Sequence, residues 1–280
     1  MNYKYIDTHS HLHSNSFDTE REGVLARMRE NSVATIVIGT DILESEKAVI
    51  LADTEENVWA SVGLHPADNV HEEFNYEMYK NMAEHKKVVA IGECGLDYFY
   101  IENFFERDKQ KNEKINWNKD AEQDRQQNIF VQHIDLAAEM DLPLMLHIRD
   151  VDGATSAYED AIQIIKKAKE KYQNIRGNVH FFASTTDIAK QFVELDFTVS
   201  FTGVITFTHD YENTIKSLPI ESLHAETDSP YVTPNPVRGT VNNPNNVVYV
   251  VRKLAELRGE TEENMVKILI ENAERMYKFN

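Results

Sequence analysis

Short apolar runs alternate along this chain with longer stretches whose apolar residues recur at helical spacing. Runs at 5–9, 34–39, 58–63, 88–92, 143–147, 178–182, 197–204 and 223–228 read as strands. Between them, the patterns at 19–30, 44–53, 73–85, 121–140, 158–172, 188–194 and 211–217 read as helices, and two more, 246–257 and 261–277, close the chain. Strict alternation argues for parallel strands, and eight of them predict a closed (β/α)8 barrel of the TIM type, with an open doubly wound sheet as the alternative. Such a barrel uses roughly 250 residues as one domain, so 280 residues fit without strain. No internal repeat and no Pro/Gly/Ser-rich linker marks a boundary. Residues 1–280 are therefore expected to form a single domain.

The composition adds limits. There is no run of about 18 apolar residues, so no membrane-spanning helix is expected. The opening residues, Met1 to Asp7, lack the apolar core of a signal peptide. Cys94, the one cysteine, has no partner for an internal disulfide, which makes a reducing cytoplasm the expected location. No membrane association and no obligate protein partner are expected. The net charge of -18 opposes binding along a nucleic-acid track, because phosphates repel such a field. It leaves room for an enzyme that grips one or two phosphates through cations and local arginines. Acidic balance is also common in proteins with no nucleic-acid role.

Candidate chemistry gathers at the ends of the expected strands. His9 and His11 are two residues apart on a strand, so both imidazoles face the same way and can reach one cation. Glu93 ends the fourth strand, His147 ends the fifth, His180 lies on the sixth and Asp228 ends the eighth. In a barrel these ends converge on one face. Buried His, Glu and Asp are costly unless paired or coordinated, and ordinary capping would have to explain each of them separately.

The ordered motifs are Ile6-Asp7-Thr8-His9-Ser10-His11-Leu12, Val62-Gly63-Leu64-His65-Pro66, residues 91–98, 142–150, 177–182 and 226–231, then Pro236-Val237-Arg238-Gly239 with Asn242-Asn243-Pro244. With these the chain resembles the TatD family of metal-dependent deoxyribonucleases, among the amidohydrolase-like barrels. The resemblance implies two divalent cations, Mg, Mn or Zn. It implies His9, His11 and Asp228 as ligands of the first, His147 and His180 as ligands of the second, and Glu93 as the bridge. It further implies that His65 and Arg149 face the substrate. Arg149 suits a phosphate oxygen, with a surface salt bridge as the alternative. Asp7 shares the expected strand face of His9 and could orient its imidazole, or be buried without such a role. Glu226 reads as a supporting residue. Two motifs depart from the family: Phe181-Phe182-Ala183-Ser184 stands where it often has Cys-Phe-Ser-Gly, and Val241-Asn242-Asn243-Pro244 where it has Arg-Asn-Glu-Pro. The arginine and glutamate usual at that rim are therefore missing.

The stretch 101–119 is longer than the family usually carries and should rise over the active face. It holds Phe104, Phe105 and Trp117 among Lys109, Lys111, Lys114 and Lys119. Such residues can stack bases and attract a single strand. The alternative is a solvated loop whose aromatics pack on the barrel. The function expected is divalent-metal-dependent cleavage of DNA phosphodiesters, implied by the resemblance to run from the 3′ end of single strands. Glu93 and Asp228 would be the catalytic carboxylates, Asp228 as general base. An amide or ester hydrolase on the same site is the alternative.

Overall fold

The computed structural model describes residues 3–112 and 115–279. Lys114, one of the lysines noted above, lies outside them. Eight parallel strands are hydrogen-bonded in sequence order: β1 Tyr5–Ser10, β2 Val33–Ile38, β3 Val58–Val62, β4 Val88–Asp97, β5 Leu144–Arg149, β6 Gly177–Val179, β7 Phe197–Phe201 and β8 Leu223–Ala225. The helices are α1 Arg21–Asn31, α2 Ile42–Thr54, α3 Tyr76–Ala83, α4 Tyr98–Asn103, α5 Phe105–Lys111, α6 Lys119–Met140, α7 Ser156–Lys171, α8 Thr186–Glu194, α9 Glu212–Ser217, α10 Val247–Arg258 and α11 Glu262–Met276. This is the expected single (β/α)8 barrel. None of the described helices is long and apolar enough to cross a membrane.

Local chemistry starts and stops these elements. Asp41, Asn75, Asn118, Thr185 and Thr261 accept backbone N–H bonds at the starts of α2, α3, α6, α8 and α11. Gly259, at φ 70°, ends α10 in the left-handed conformation that costs glycine nothing. The strands are rich in Val, Ile and Ala because both their faces are covered. The larger apolar cluster lies between strands and helices. A smaller one fills the barrel, with Ile6, Ala34, Ile36, Ala90 and Met145 closed off by Trp59 and the C-terminal Tyr277.

The boundaries differ from expectation where the site lies. β4 does not stop at residue 92 but runs on to Asp97, so Glu93 sits inside it. Gly92 and Gly95 permit this. Their φ values are 142° and 135°, and a Cβ there would fall 2.4 Å from the Met145 carbonyl oxygen and 2.2 Å from that of His147. β6, β7 and β8 end earlier than expected, leaving His180 and Asp228 on the turns that follow.

At Asp7 the expected shared face with His9 does not hold, and of its two readings the one without an imidazole role stands. Asp7 pairs with Thr35, but Ser10 pairs with Val37, so three steps on β1 oppose two on β2. Ile6 and His9, an odd number of residues apart, consequently both face inward. Asp7 does not meet the His9 ring. Its Oδ1 accepts from the backbone N–H of Thr227 (2.8 Å) and of His9 (3.2 Å), and its Oδ2 lies 2.6 Å from Thr227 Oγ1. It therefore ties the first strand to the segment after the last. The seam is completed by Asp228 N to His9 O (2.9 Å) and His11 N to Ser229 O (2.8 Å).

Asp7→Ala leaves two buried N–H groups without acceptors. It should destabilise the fold by about 2–5 kcal/mol, while Asp7→Asn, which keeps an acceptor oxygen, loses less. Urea unfolding midpoints of the two variants check this; an unchanged midpoint for Asp7→Ala would mean the seam is held elsewhere.

Candidate metal centre

Six side chains from five strands and the turns after them meet above the barrel core. Glu93 is at their centre, and its two oxygens face different neighbours. Oε2 lies 3.5 Å from His9 Nε2 and 3.9 Å from His11 Nε2. The same two nitrogens are 3.7 and 3.5 Å from Asp228 Oδ1, and 3.3 Å from each other. Oε1 lies 2.9 Å from His147 Nδ1 and 2.8 Å from His180 Nε2, which are 3.4 Å apart. His9 and His180 stack with ring centroids 3.8 Å apart. The structure thus brings His9, His11, Glu93, His147, His180 and Asp228 together.

The donor set fits divalent cations. Ligand atoms at ~2.0–2.2 Å from a shared ion are themselves separated by the kind of distance seen here. Imidazole nitrogens that point at one another cannot all be satisfied by protons, because each contact needs one donor and one acceptor. A cation among them satisfies every lone pair. The remote ring atoms of His11 and His147 are anchored as ligating histidines require, and that of His180 faces a carboxylate. His11 Nδ1 is 3.2 Å from the Ile38 carbonyl, His147 Nε2 is 3.1 Å from Asp97 Oδ2, and His180 Nδ1 is 3.5 Å from Glu226 Oε1. Glu226 is itself held by the Phe181 N–H (2.6 Å) and the Ser200 hydroxyl (2.5 Å).

Burial dominates the electrostatics. It would raise the Glu93 carboxyl, but His180 and His9 beside it, with hydrogen bonds from His147 and His180, hold it well below the usual range. His9 is driven well below an ordinary histidine by burial and then by His180, which keeps its ring neutral, the form that ligates. Burial also lowers His147, yet its bonds to Asp97 and Glu93 prevail and raise it. Asp228 adopts φ 51°, uncommon outside glycine, and its Oδ2 makes no hydrogen bond to the described residues.

His65 stands beside the cluster, with Nε2 3.7 Å from Glu93 Oε1. Its Nδ1 accepts the backbone N–H groups of Ala67 and Asp68, each at 3.1 Å. That leaves the ring proton on Nε2. Asp68 Oδ1 lies 3.1 Å from the same Nδ1. His65 therefore offers a donor to the site rather than a metal lone pair. Arg149 lies exposed at the rim and makes no ion pair with the described residues; its guanidinium sits 3.9 Å over the Phe99 ring.

The stretch 101–119 is not an open loop. It contains part of α4 and all of α5, and most of its aromatics pack. Phe105 is fully buried, and the Trp117 indole N–H donates to Glu122 at 2.8 Å. Lys109 bonds the Trp117 carbonyl, and Lys119 pairs with Glu102. Of the three rings singled out, Phe104 alone is exposed.

Pattern reasoning passed over Asp97, which orients His147, although it lies in a motif already noted. It also passed over His133, whose Nε2 accepts the Leu64 N–H (3.0 Å) and whose Nδ1 donates to Ile129 O (2.8 Å). A lone histidine on a helix gives no warning of this role.

A parallel (β/α)8 barrel with imidazoles and carboxylates at its C-terminal mouth defines a metal-binding hydrolase barrel. Residues 6–278 match the family described as TatD related DNase. The metal-dependent hydrolase YabD of Bacillus subtilis is 34% identical over 98% of this chain and 99% of its own length. The metal-dependent hydrolase TatD of Mycobacterium tuberculosis is 31% identical, over 97% of each chain. The crystal structure of YJJV, a TatD homologue of Escherichia coli, superposes with a TM-score of 0.82 at 27% identity, covering 99% of both chains. The chain belongs to the TatD-related DNase family and is a metal-dependent hydrolase.

The buried His133 ring, whose pKa burial lowers to about 4, is neutral in the fold. The unfolded chain takes up the proton near pH 6.5, so stability is complete above that pH and falls as the pH drops toward about 4. His133→Gln, which cannot be protonated, should flatten this loss relative to the parent when unfolding is followed across that window in the presence of a chelator. Parallel pH profiles for the two proteins would disprove the assignment.

Proposed function

We propose that the chain hydrolyses DNA phosphodiesters with two divalent cations, taking single strands from the 3′ end. The observation that carries this reading is the division of Glu93 between two histidine groups. Glu93 would hold one cation with each oxygen, His9, His11 and Asp228 completing the first set and His147 and His180 the second. Cations held there would supply Lewis acidity and lower the pKa of a hydrolytic water. The chain's own residues do the rest. As water attacks phosphorus and the P–O3′ bond breaks, Asp228 Oδ2, which no donor among the described residues occupies, accepts the water's proton, and the leaving 3′ oxygen is protonated from solvent. His65 Nε2 donates to a phosphoryl oxygen and stabilises the charge that grows on it. Arg149 neutralises a neighbouring phosphate. The family description as DNase supports the choice of substrate. The strongly acidic balance suits an enzyme that engages a few phosphates at one end rather than a long track.

Incubating metal-loaded protein with 5′-labelled single-stranded DNA, and separately with a panel of amides and esters, tests the reading. The expected result is a ladder shortened from the 3′ end, abolished by a chelator and restored by Mg²⁺ or Mn²⁺. Full activity after exhaustive metal removal, verified by elemental analysis, would exclude it, as would intact DNA beside a hydrolysed amide or ester.

The two carboxylates should fail differently. Glu93→Gln is expected to lose at least one cation per chain, because an amide bridges two cations poorly. Asp228→Asn should keep much of its metal, since His9 and His11 remain, and lose about 10²–10⁴-fold in turnover with near-normal substrate binding. Metal counts per chain, read beside the rates, decide; near-native turnover in fully metallated Asp228→Asn removes Asp228 as the base.

A further inference from the structure

Exposed aromatic rings are few in this barrel and they are not scattered. Among the described residues, the exposed large aromatics are Phe104 (36%), Phe207 (39%) and Tyr231 (61%). They follow β4, β7 and β8, and so all three stand at the mouth that carries the metal centre. Single exposed apolar residues need no explanation, but aromatics confined to one functional face do.

Tyr231 is the nearest to the cluster, its ring edge-on to His11 at 6.4 Å. Its ring is exposed while its backbone is fixed. The Tyr231 N–H donates to Asp228 O (2.9 Å), and its carbonyl accepts from Asn242 Nδ2 (2.6 Å). Phe207 carries the Arg238 guanidinium 4.0 Å from its centroid. Phe99 carries Arg149 at 3.9 Å and meets Phe104 edge-on at 5.7 Å. Among the described residues neither arginine has a carboxylate within ion-pair distance, whereas Arg21, Arg29, Arg125, Arg176 and Arg252 each do. In a chain with 47 acidic and 29 basic side chains, two guanidiniums beside one site with no carboxylate partner among the described residues are placed for an anion, although Arg238 also donates to the Thr233 carbonyl at 3.3 Å. A flat ring next to a guanidinium free of carboxylates matches a nucleotide, base on ring and phosphate on arginine. The β4/β5 and β7/β8 pairs stand three strands apart around the mouth, so a chain of nucleotides crossing it can touch both.

We propose that Tyr231, Phe207 with Arg238, and Phe99 and Phe104 with Arg149 form a rim that binds a single-stranded polynucleotide, rings stacking unpaired bases and guanidiniums holding phosphates. It deepens the phosphodiesterase reading and rests on it for the direction of the strand toward the metals. An intact duplex hides its base faces and gains nothing from the rings.

Binding is measured by fluorescence anisotropy in a chelator, so that nothing is cleaved, using a single-stranded oligodeoxynucleotide, an abasic strand of equal length and a duplex. Tyr231→Leu and Phe207→Leu should each weaken the base-bearing strand roughly 5- to 100-fold, lowering its advantage over the abasic one. Arg149→Met and Arg238→Met should weaken both strands alike and reduce the slope of log affinity on log salt by about one each. Wild-type binding that ignores the bases, or folded aromatic variants that keep the wild-type preference, would overturn the proposal. Cleavage is scored separately with metal restored. Ring-dependent binding without hydrolysis would leave the rim standing and remove the nuclease reading; hydrolysis with ring-independent binding would do the reverse.

Discussion

Glu93 is a carboxylate almost shut off from water, and its charge has to be balanced by whatever surrounds it. An ion in that position costs several kcal/mol unless it is paired and hydrogen-bonded. Five imidazoles and a second carboxylate stand around it, and most of those are supported in turn. Asp97 holds His147, Glu226 stands behind His180, and the Ile38 carbonyl holds His11. Ser200 and the Phe181 N–H then hold Glu226. The polar network thus reaches outward from Glu93 until it meets backbone. A half-satisfied network of this kind would be worse than an apolar core, which is why so many buried polar residues gather at one end of the barrel.

The barrel delivers these groups because it closes. Eight strands in sequence order leave one seam, between the first and the last, and the first metal group draws its ligands from both sides of it. His9 and His11 come from β1, and Asp228 from the turn after β8. Asp7 and two backbone bonds lock that seam beside the ligands. Opposite the seam, Gly92 and Gly95 let β4 run close to β5, so that Glu93 can be presented from within a strand. Rigid backbone on both sides fixes a cluster whose function depends on tenths of an ångström.

Charge is distributed in a way the total conceals. The chain is strongly acidic, yet Arg149 and Arg238 stand at the mouth on phenylalanine rings rather than on carboxylates. Most of the other arginines are committed to ion pairs or to backbone carbonyls. A field that repels polyanions at long range and a mouth that receives one phosphate at short range are compatible, because exposed charges are screened beyond roughly 8–10 Å in salt.

The eight-fold alternation, the ligand types and their order along the chain were all legible in the sequence, since periodicity and residue chemistry are local properties. His9 and His11 could be placed on one face by counting two residues, and Asp228 at the mouth by counting to the end of a strand. Counting failed where a local count does not determine direction. The slip in pairing between Asp7 and Ser10 reversed the face of Asp7, so that of its two readings it takes the one away from the imidazole and clasps the barrel. The length of β4 was hidden because its glycines read as an end, and their tolerance of positive φ is visible only beside the carbonyls of β5. Phe105 and Trp117 could face bases or pack on the barrel, and the fold decides: Phe105 is buried with its ring edge-on to Tyr100 of α4, and Trp117 bonds Glu122 of α6. The proton on His65 Nε2 is set by two backbone N–H groups in its own loop, and the division of Glu93 between two histidine groups by five strands meeting at one point. Those are relations between atoms distant in sequence, and only the closed barrel brings them together.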